Sequence, residues 1–239
     1  SLSLAEQANR KGVLGDLMEG MLINVFESDK NLWPKLIDKG VSLAHRKHIL
    51  GFLYNEEGQK LLEKYNLAGR IMDTIDSDYA YAVSTNLGGD KTNLFVTKEV
   101  THSIEKEGND YIRTVELAYT YNDSEPQYAP LVKVYRDWIR MYVPEGSELI
   151  SAEGSEDNSL GSGEERGKTY FSGFITLNPL ETKKVTFKYK LPEGIVVGDM
   201  HELYIQKQPG IDTEVHHVVI NGEKQSFELL TDKIVKTSL

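Results

Sequence analysis

Histidine near carboxylates is the side chain best suited to bind metals or move protons near neutral pH. This chain carries six histidines. His216 and His217 are adjacent inside a period-two pattern, so their rings are expected on opposite faces of a strand. From there they cannot chelate one ion without a bulge. His45 and His48 are three apart, a spacing that shares a helical face, but HILGFLY (48–54) reads as a short strand that would end such a helix. That pair reads as an exposed polar helix end. With no cysteine in the chain, thiolate metal sites, cysteine nucleophiles and disulfides are excluded. No metal and no cofactor are expected.

Other motifs read as plain structure. EGSEDNSLGSGEERG (153–167) is acidic but lacks the alternating oxygen spacing of a calcium loop, so it reads as a mobile, solvated insertion between strands. Gly88–Gly89–Asp90–Lys91 is expected to be a turn, because a phosphate cradle needs a following helix and a strand is expected here. Gln206–Lys207–Gln208–Pro209–Gly210 is unusually polar for a strand end, and reads as a strand running into a turn. There is no Gly-x-Ser-x-Gly elbow and no zinc-binding histidine–glutamate helix. No catalytic residue is assigned.

The elements that carry these residues fall into two textures. Residues 4–27 place Leu14, Leu17, Met18, Met21, Leu22, Val25 and Phe26 at helical spacing. A second helix is expected to start near Asn31–Pro34, with Trp33, Leu36, Ile37 and Val41 on its buried side. Residues 55–66 read as a third, with Asn55 as N-cap and Gly69 as terminator. From about residue 78 the period changes to two. Strands are expected at 79–86, 93–106, 111–122, 134–143, 168–177, 182–191, 200–208, 213–220 and 224–230, punctuated by Gly, Pro and Asn turns. The expected fold class is α+β: a short N-terminal helical (α/β) segment over residues 1–74, belonging to an upstream domain, then an antiparallel immunoglobulin-like β-sandwich over 75–239.

The net charge of −10 argues against a nucleic-acid partner, which needs a basic stripe. No apolar run approaches the ~20 residues that span a bilayer. The abrupt start at SLSLAEQ reads as a fragment of a longer protein.

Five phrases, in order, resemble a bacterial family known as domain of unknown function 4012. They are HILGFLYNEEGQKLLEKYNLAG, DSDYAYAVSTNLGGDKTNLFVTKEV, YRDWIRMYVPEGSELISAEG, GFITLNPLETKKVTFKYKLP and LYIQKQPG, and they cover most of residues 45–210. In that family they form the C-terminal half of longer proteins that begin with a membrane-spanning helix. The resemblance implies an extracytoplasmic place in the cell envelope, with membrane contact only through an absent N-terminal helix. The upstream half of such proteins is similar to LytR–CpsA–Psr phosphotransferases, which hold pyrophosphate with arginines. The one possible counterpart here is Arg10–Lys11 at the start of the first helix, a pair that otherwise reads as a solvated face. The expected function is a non-catalytic envelope module acting as spacer, scaffold or recognition domain. Its expected partners are the upstream domain and a cell-wall glycan or another surface protein. The alternative is the C-terminal part of an envelope glycopolymer phosphotransferase.

Overall fold

Where apolar residues recur every second position, a strand buries one face and leaves the other to water. That pattern dominates the structure, a computed structural model that describes residues 12–73, 77–89, 91–122, 133–156, 160–196, 200–212 and 214–238. The chain divides into two units, Ser1–Ala44 and His45–Leu239.

The first unit contains α1 (Gly12–Phe26), a 3-10 turn at Lys30–Leu32 and most of α2 (Trp33–His45). Asp29 caps the turn by accepting from the Asn31 amide at 2.8 Å. Leu14, Leu17, Met18, Met21, Leu22, Val25 and Phe26 are all exposed. So are Leu36, Ile37 and Val41, and no residue of α2 is buried. The buried side expected for the second helix is therefore not seen.

The second unit opens with residues 48–54, which form no strand. The expected alternation is too short to build a ladder, and the segment instead wraps α3 (Glu56–Lys64). The Gly51 amide donates to the Leu67 carbonyl at 2.9 Å, and the Leu53 amide to Gln59 Oε1 at 3.0 Å. Asn55 caps α3 through the Gly58 amide at 2.9 Å, as expected. The helix ends at Lys64, and the residue that terminates it is Asn66 rather than Gly69. Asn66 takes the left-handed conformation, and the Leu67 amide reaches back to the Leu62 carbonyl at 2.7 Å.

Twelve strands follow among the described residues: β1 (Asp78–Asn86), β2 (Val96–Glu107), β3 (Asp110–Tyr121), β4 (Tyr135–Pro144), β5 (Glu148–Glu153), β6 (Gly161–Glu165), β7 (Lys168–Leu177), β8 (Thr182–Lys190), β9 (Met200–Ile205), β10 (Val215–Ile220), β11 (Glu223–Glu228) and β12 (Lys233–Ser238). They form two six-stranded sheets, ordered β12-β9-β1-β4-β7-β6 and β11-β10-β2-β3-β8-β5. Two pairings depart from the antiparallel expectation, since β1 runs parallel to β9 and β2 parallel to β10. Both sheets are thus mixed. Each parallel pair joins strands far apart in sequence, where a long connection removes the hairpin constraint.

Residues 161–165, expected inside a mobile loop, are strand β6, paired with β7. Arg166 and Gly167 both have positive φ, so a tight two-residue turn joins the pair. Residues 157–159 lie outside the described residues.

The core fills the space between the sheets. Val115, Leu117, Val185, Phe187 and Tyr189 face Ile139, Met141, Val143, Phe171 and Ile175. The Phe171 ring lies 6.2 Å from Phe187 and 5.3 Å from Tyr189, which ties β7 to β8 across the layers.

Candidate functional site

The expected ligand pair Arg10 and Lys11 lies outside the described residues. His45 ends α2 and His48 lies beyond it, so the two share no helical face; His48 Nε2 is 3.4 Å from Asp212 Oδ1. His216 and His217 do face opposite ways. His216 is buried and stacked on His102 and Phe227, while His217 meets Ser226 Oγ at 2.8 Å. In the acidic stretch, Glu156 accepts from the Thr176 amide at 2.7 Å and stands 3.4 Å from Lys183 Nζ, so this carboxylate serves the sheet. A turn does occupy Leu87–Gly88, and a 3-10 turn at Thr92–Phe95 precedes β2; Asp90 lies outside the described residues.

The strands also place a chain of charged and polar groups inside the sandwich. It begins at β12, where Thr237 Oγ1 is 3.3 Å from His201 Nδ1 on β9. His201 Nε2 donates to Asp78 Oδ2 on β1 at 2.8 Å. Asp78 also receives Arg113 of β3, whose other terminal nitrogen donates to His102 Nδ1 on β2 at 3.0 Å. His102 Nε2 is 3.0 Å from His216 Nδ1, and His216 Nε2 is 3.4 Å from Glu214 Oε2. Glu214 Oε1 faces Lys98 Nζ at 2.7 Å. All seven charged or histidine side chains from His201 to Lys98 are buried.

The proton positions follow from valence. Arginine only donates, so His102 Nδ1 must accept and its Nε2 carries the proton. His216 then accepts at Nδ1 and donates from Nε2 to Glu214. Burial keeps these rings neutral. His102 is held well below the usual imidazole range by burial and by neighbouring His216. Burial, then the Arg113 charge, brings His201 down to about 3. Burial also lowers His216, against the pull of Glu214. Burial opposes the charge of Glu214, yet Lys98 and His216 outweigh it and hold the carboxyl at about 2.

The chain ends in a cavity of about 450 Å³ at one end of the sandwich. Its inner wall is Ser84 of β1, Lys98 of β2, Tyr119 of β3, Tyr135 of β4 and Glu214, and Leu94, Val96 and Ile211 add apolar surface. Lys98 is fully engaged: besides Glu214, it reaches the Ala82 carbonyl at 3.2 Å and Ser84 Oγ at 3.3 Å. Ser84 Oγ in turn lies 3.1 Å from the Tyr119 hydroxyl. Beneath this wall sits Asp137 of β4, fully buried beside Ser84, Tyr135 and the Thr85 amide, and it does not line the cavity itself. Burial raises its pKa, while the Lys98 charge and hydrogen bonds from Ser84, Tyr135 and the Thr85 amide pull the other way.

Gln208, Gly210, Ile211 and Asp212 add a further wall, and the first two belong to the polar stretch 206–210 singled out in the sequence. That stretch is more than a strand running into a turn. Gln206 accepts from the Tyr79 hydroxyl at 2.5 Å and the Met72 amide at 3.0 Å, and donates to the Arg70 carbonyl at 2.9 Å. The buried Lys207 ammonium donates to the carbonyls of Arg46 at 3.2 Å, Gln208 at 3.3 Å and Ile211, so the loop winds around one cation. Gln208 spans the backbone of Ser84, accepting from its amide and donating to its carbonyl, both at 2.9 Å. Nearby, Asp232 is 2.6 Å from Lys47 Nζ and accepts from Asn66 at 2.5 Å, Tyr204 at 2.7 Å and the Lys207 amide at 2.7 Å. This clasp fixes the cavity wall before any ligand arrives.

Sequence reading missed the buried groups, although strand parity marks them. Lys98 and His102 share the inward register of Val100 and Ile104. Arg113 shares that of Val115 and Leu117, and Asp137 that of Tyr135 and Ile139.

No protein-family profile matches the chain, and no curated protein matches it. Among solved structures, one match is to a protein from Legionella pneumophila subsp. pneumophila str. Philadelphia 1 whose description is that of a nutrient binding protein. It shows 9% identity and a TM-score of 0.36, over 61% of this chain and 54% of that one. The chain therefore spans about half the length of that protein.

Proposed function

We propose that this chain is a non-catalytic recognition module of an extracytoplasmic, cell-envelope protein, and that the cavity beside Lys98 and Glu214 is its ligand seat. One observation carries the proposal. A cavity of about 450 Å³ combines a polar wall of Ser84, Lys98, Tyr119, Tyr135 and Glu214 with the apolar surface of Leu94, Val96 and Ile211, and the hydrogen bonds of Lys98 and Gln208 hold that wall in place. Pre-formed clefts with a few convergent polar groups are the usual form of small-molecule sites.

The envelope location, the membership of the domain of unknown function 4012 family and the immunoglobulin-like classification belong to this proposal. The first two rest on the ordered phrases quoted above, and the third on two facing sheets with hairpin punctuation. The exposed apolar residues of α1 and α2 are the surface on which an upstream domain would pack. A cell-wall glycan fragment or a segment of a surface protein is the ligand source that this location implies.

The test is a melting-temperature screen of the chain against small cationic, neutral and anionic compounds, repeated with Val96→Trp to fill the cavity. A ligand-induced rise in Tm that Val96→Trp abolishes supports the proposal. A rise that survives the filled cavity, or no rise with any compound, contradicts it.

A further inference from the structure

We propose that Lys47 and Asn66 join spontaneously through an amide bond between their side chains, with Asp232 as the proton carrier and ammonia as the leaving group. None of the three residues lines the cavity, so the inference is independent of the ligand-seat reading.

A lysine and an asparagine react in this way when three conditions meet. The amine must lose its proton, it must stand beside the carboxamide, and an acid–base group must move a proton from the incoming nitrogen to the outgoing one. Burial favours the first condition. The Lys47 side chain is 2% exposed and that of Asp232 7%. Burial lowers the pKa of Lys47, against the pull of Asp232. An ammonium and a carboxylate withdrawn from water are both driven toward their neutral forms.

Asp232 meets the other two conditions, because it touches both nitrogens. Lys47 Nζ stands 2.6 Å from Oδ1 and 2.7 Å from Oδ2, and Asn66 Nδ2 meets the same Oδ2 at 2.5 Å. The incoming and outgoing nitrogens thus share one carboxylate oxygen. The carboxylate is itself held in place, by the Tyr204 hydroxyl on Oδ2 and the Lys207 amide on Oδ1, each at 2.7 Å.

The backbone gives a second sign. Lys47 has φ 61° and Asn66 φ 58°, so both take the left-handed conformation. Asparagine is common there as a helix terminator, whereas a lysine is not. Strained backbone of this kind gathers where side chains are held for chemistry.

The atoms balance. The Lys47 ammonium gives one proton to Asp232, and the freed Nζ lone pair attacks Cγ of Asn66. The Asp232 carboxyl protonates Nδ2 and then takes a second proton from Nζ. The Cγ–Nδ2 bond breaks and the Cγ carbonyl re-forms. Ammonia leaves with the proton from Asp232, as ammonium, and Asp232 returns to carboxylate. The reaction needs no oxidant and no cofactor.

The experiment is intact-mass spectrometry of the purified full chain, followed by tryptic mapping. The expected mass lies one ammonia, about 17 Da, below that of the sequence. Trypsin cuts after Arg46, Lys60, Lys64 and Arg70, so the expected digest holds segments 47–60 and 65–70 as one joined peptide. Lys47→Arg, Asp232→Ala and Asn66→Gly, the last of which keeps the left-handed backbone, should each show the full mass of their own sequence. An unchanged parental mass overturns the proposal. So does an ammonia loss that maps to Asn221–Gly222, a loss of water that joins Lys47 to Asp232, or a joined peptide that persists in Asp232→Ala. The mass and digest of the unmodified chain decide the matter even where a variant does not fold.

Discussion

Asp78 and Arg113 are both buried between the sheets, and each meets a histidine as well as the other. Removing one member of such a pair leaves a charge in a medium that solvates it badly. Asp78→Asn should therefore lower unfolding stability by about 3–5 kcal/mol, whereas Lys236→Ala, which breaks the exposed contact with Glu202, should cost less than about 1 kcal/mol. Urea melts of the two variants check the contrast, and similar losses would show that the buried chain is not the stronger tie. The histidines fix the direction of the pH response. His102, His201 and His216 titrate below the ordinary imidazole value when folded, so the unfolded chain binds protons more readily. Their contribution is complete above pH 6.5, the ordinary value, and is lost as pH falls, with His201 finishing near 3. Glu214, held at about 2, adds a further loss below its ordinary 4.5. Asp137 runs the other way, because burial raises its carboxyl, but the three histidines outnumber it. Each histidine contributes up to about 1.4 kcal/mol per pH unit across its own window. Tm measured from pH 8 to 4 should be level at first and decline below about 6.5; a flat or rising profile between pH 7 and 5 would contradict the neutral assignment.

At the scale of elements, the hairpins were the most legible part. Gly108–Asn109 joins β2 to β3, and Asn221–Gly222 joins β10 to β11 with both residues at positive φ, as their turn chemistry requires. The strands that escaped notice are the edge strands β5 and β6, which carry little apolar alternation, and β12 at the chain's end. Gly161 and Gly163 make β6 look like a loop in composition. In the sheet, a Cβ at Gly163 would press on the Tyr170 ring, its hydroxyl oxygen only 2.7 Å away, so a side chain there would push that ring aside. Parallel pairing was also illegible, because alternation gives a strand's faces but not its neighbours. Gly154 follows β5 at positive φ, and an added Cβ would collide with the Lys184 carbonyl of β8. Gly154→Ala should cost roughly 2 kcal/mol or more and loosen the β5 edge first. Hydrogen exchange of the β5 and β8 amides reads this directly, and unchanged protection would show that the backbone can shift without strain.

At the scale of the molecule, the site was harder to read than the sheets. Its residues come from four strands, the 3-10 turn at Thr92–Phe95 and the segment 208–214. Only the polar run Gln206–Lys207–Gln208 stood out in the sequence, and its role appears once Tyr79, Ser84 and Asp232 are seen around it. Removing the clasp should act on the cavity from a distance. Lys207→Met leaves the carbonyls of Arg46, Gln208 and Ile211 without their shared donor, so it should lower Tm and weaken any ligand held at the cavity. A variant that melts lower yet binds with parental affinity would confine the clasp to stability.

The most direct test of the account follows backbone amide NMR shifts of the chain during titration with pooled small cationic, neutral and anionic compounds. The ligand-seat reading expects saturable shifts gathered at Thr85, Lys98, Trp138 and Ile211, the residues in or beside the cavity wall, and expects them to vanish in Val96→Trp. Shifts confined to the exposed face of α1 or to the outer edge strands, or no saturable shift at all, would contradict it.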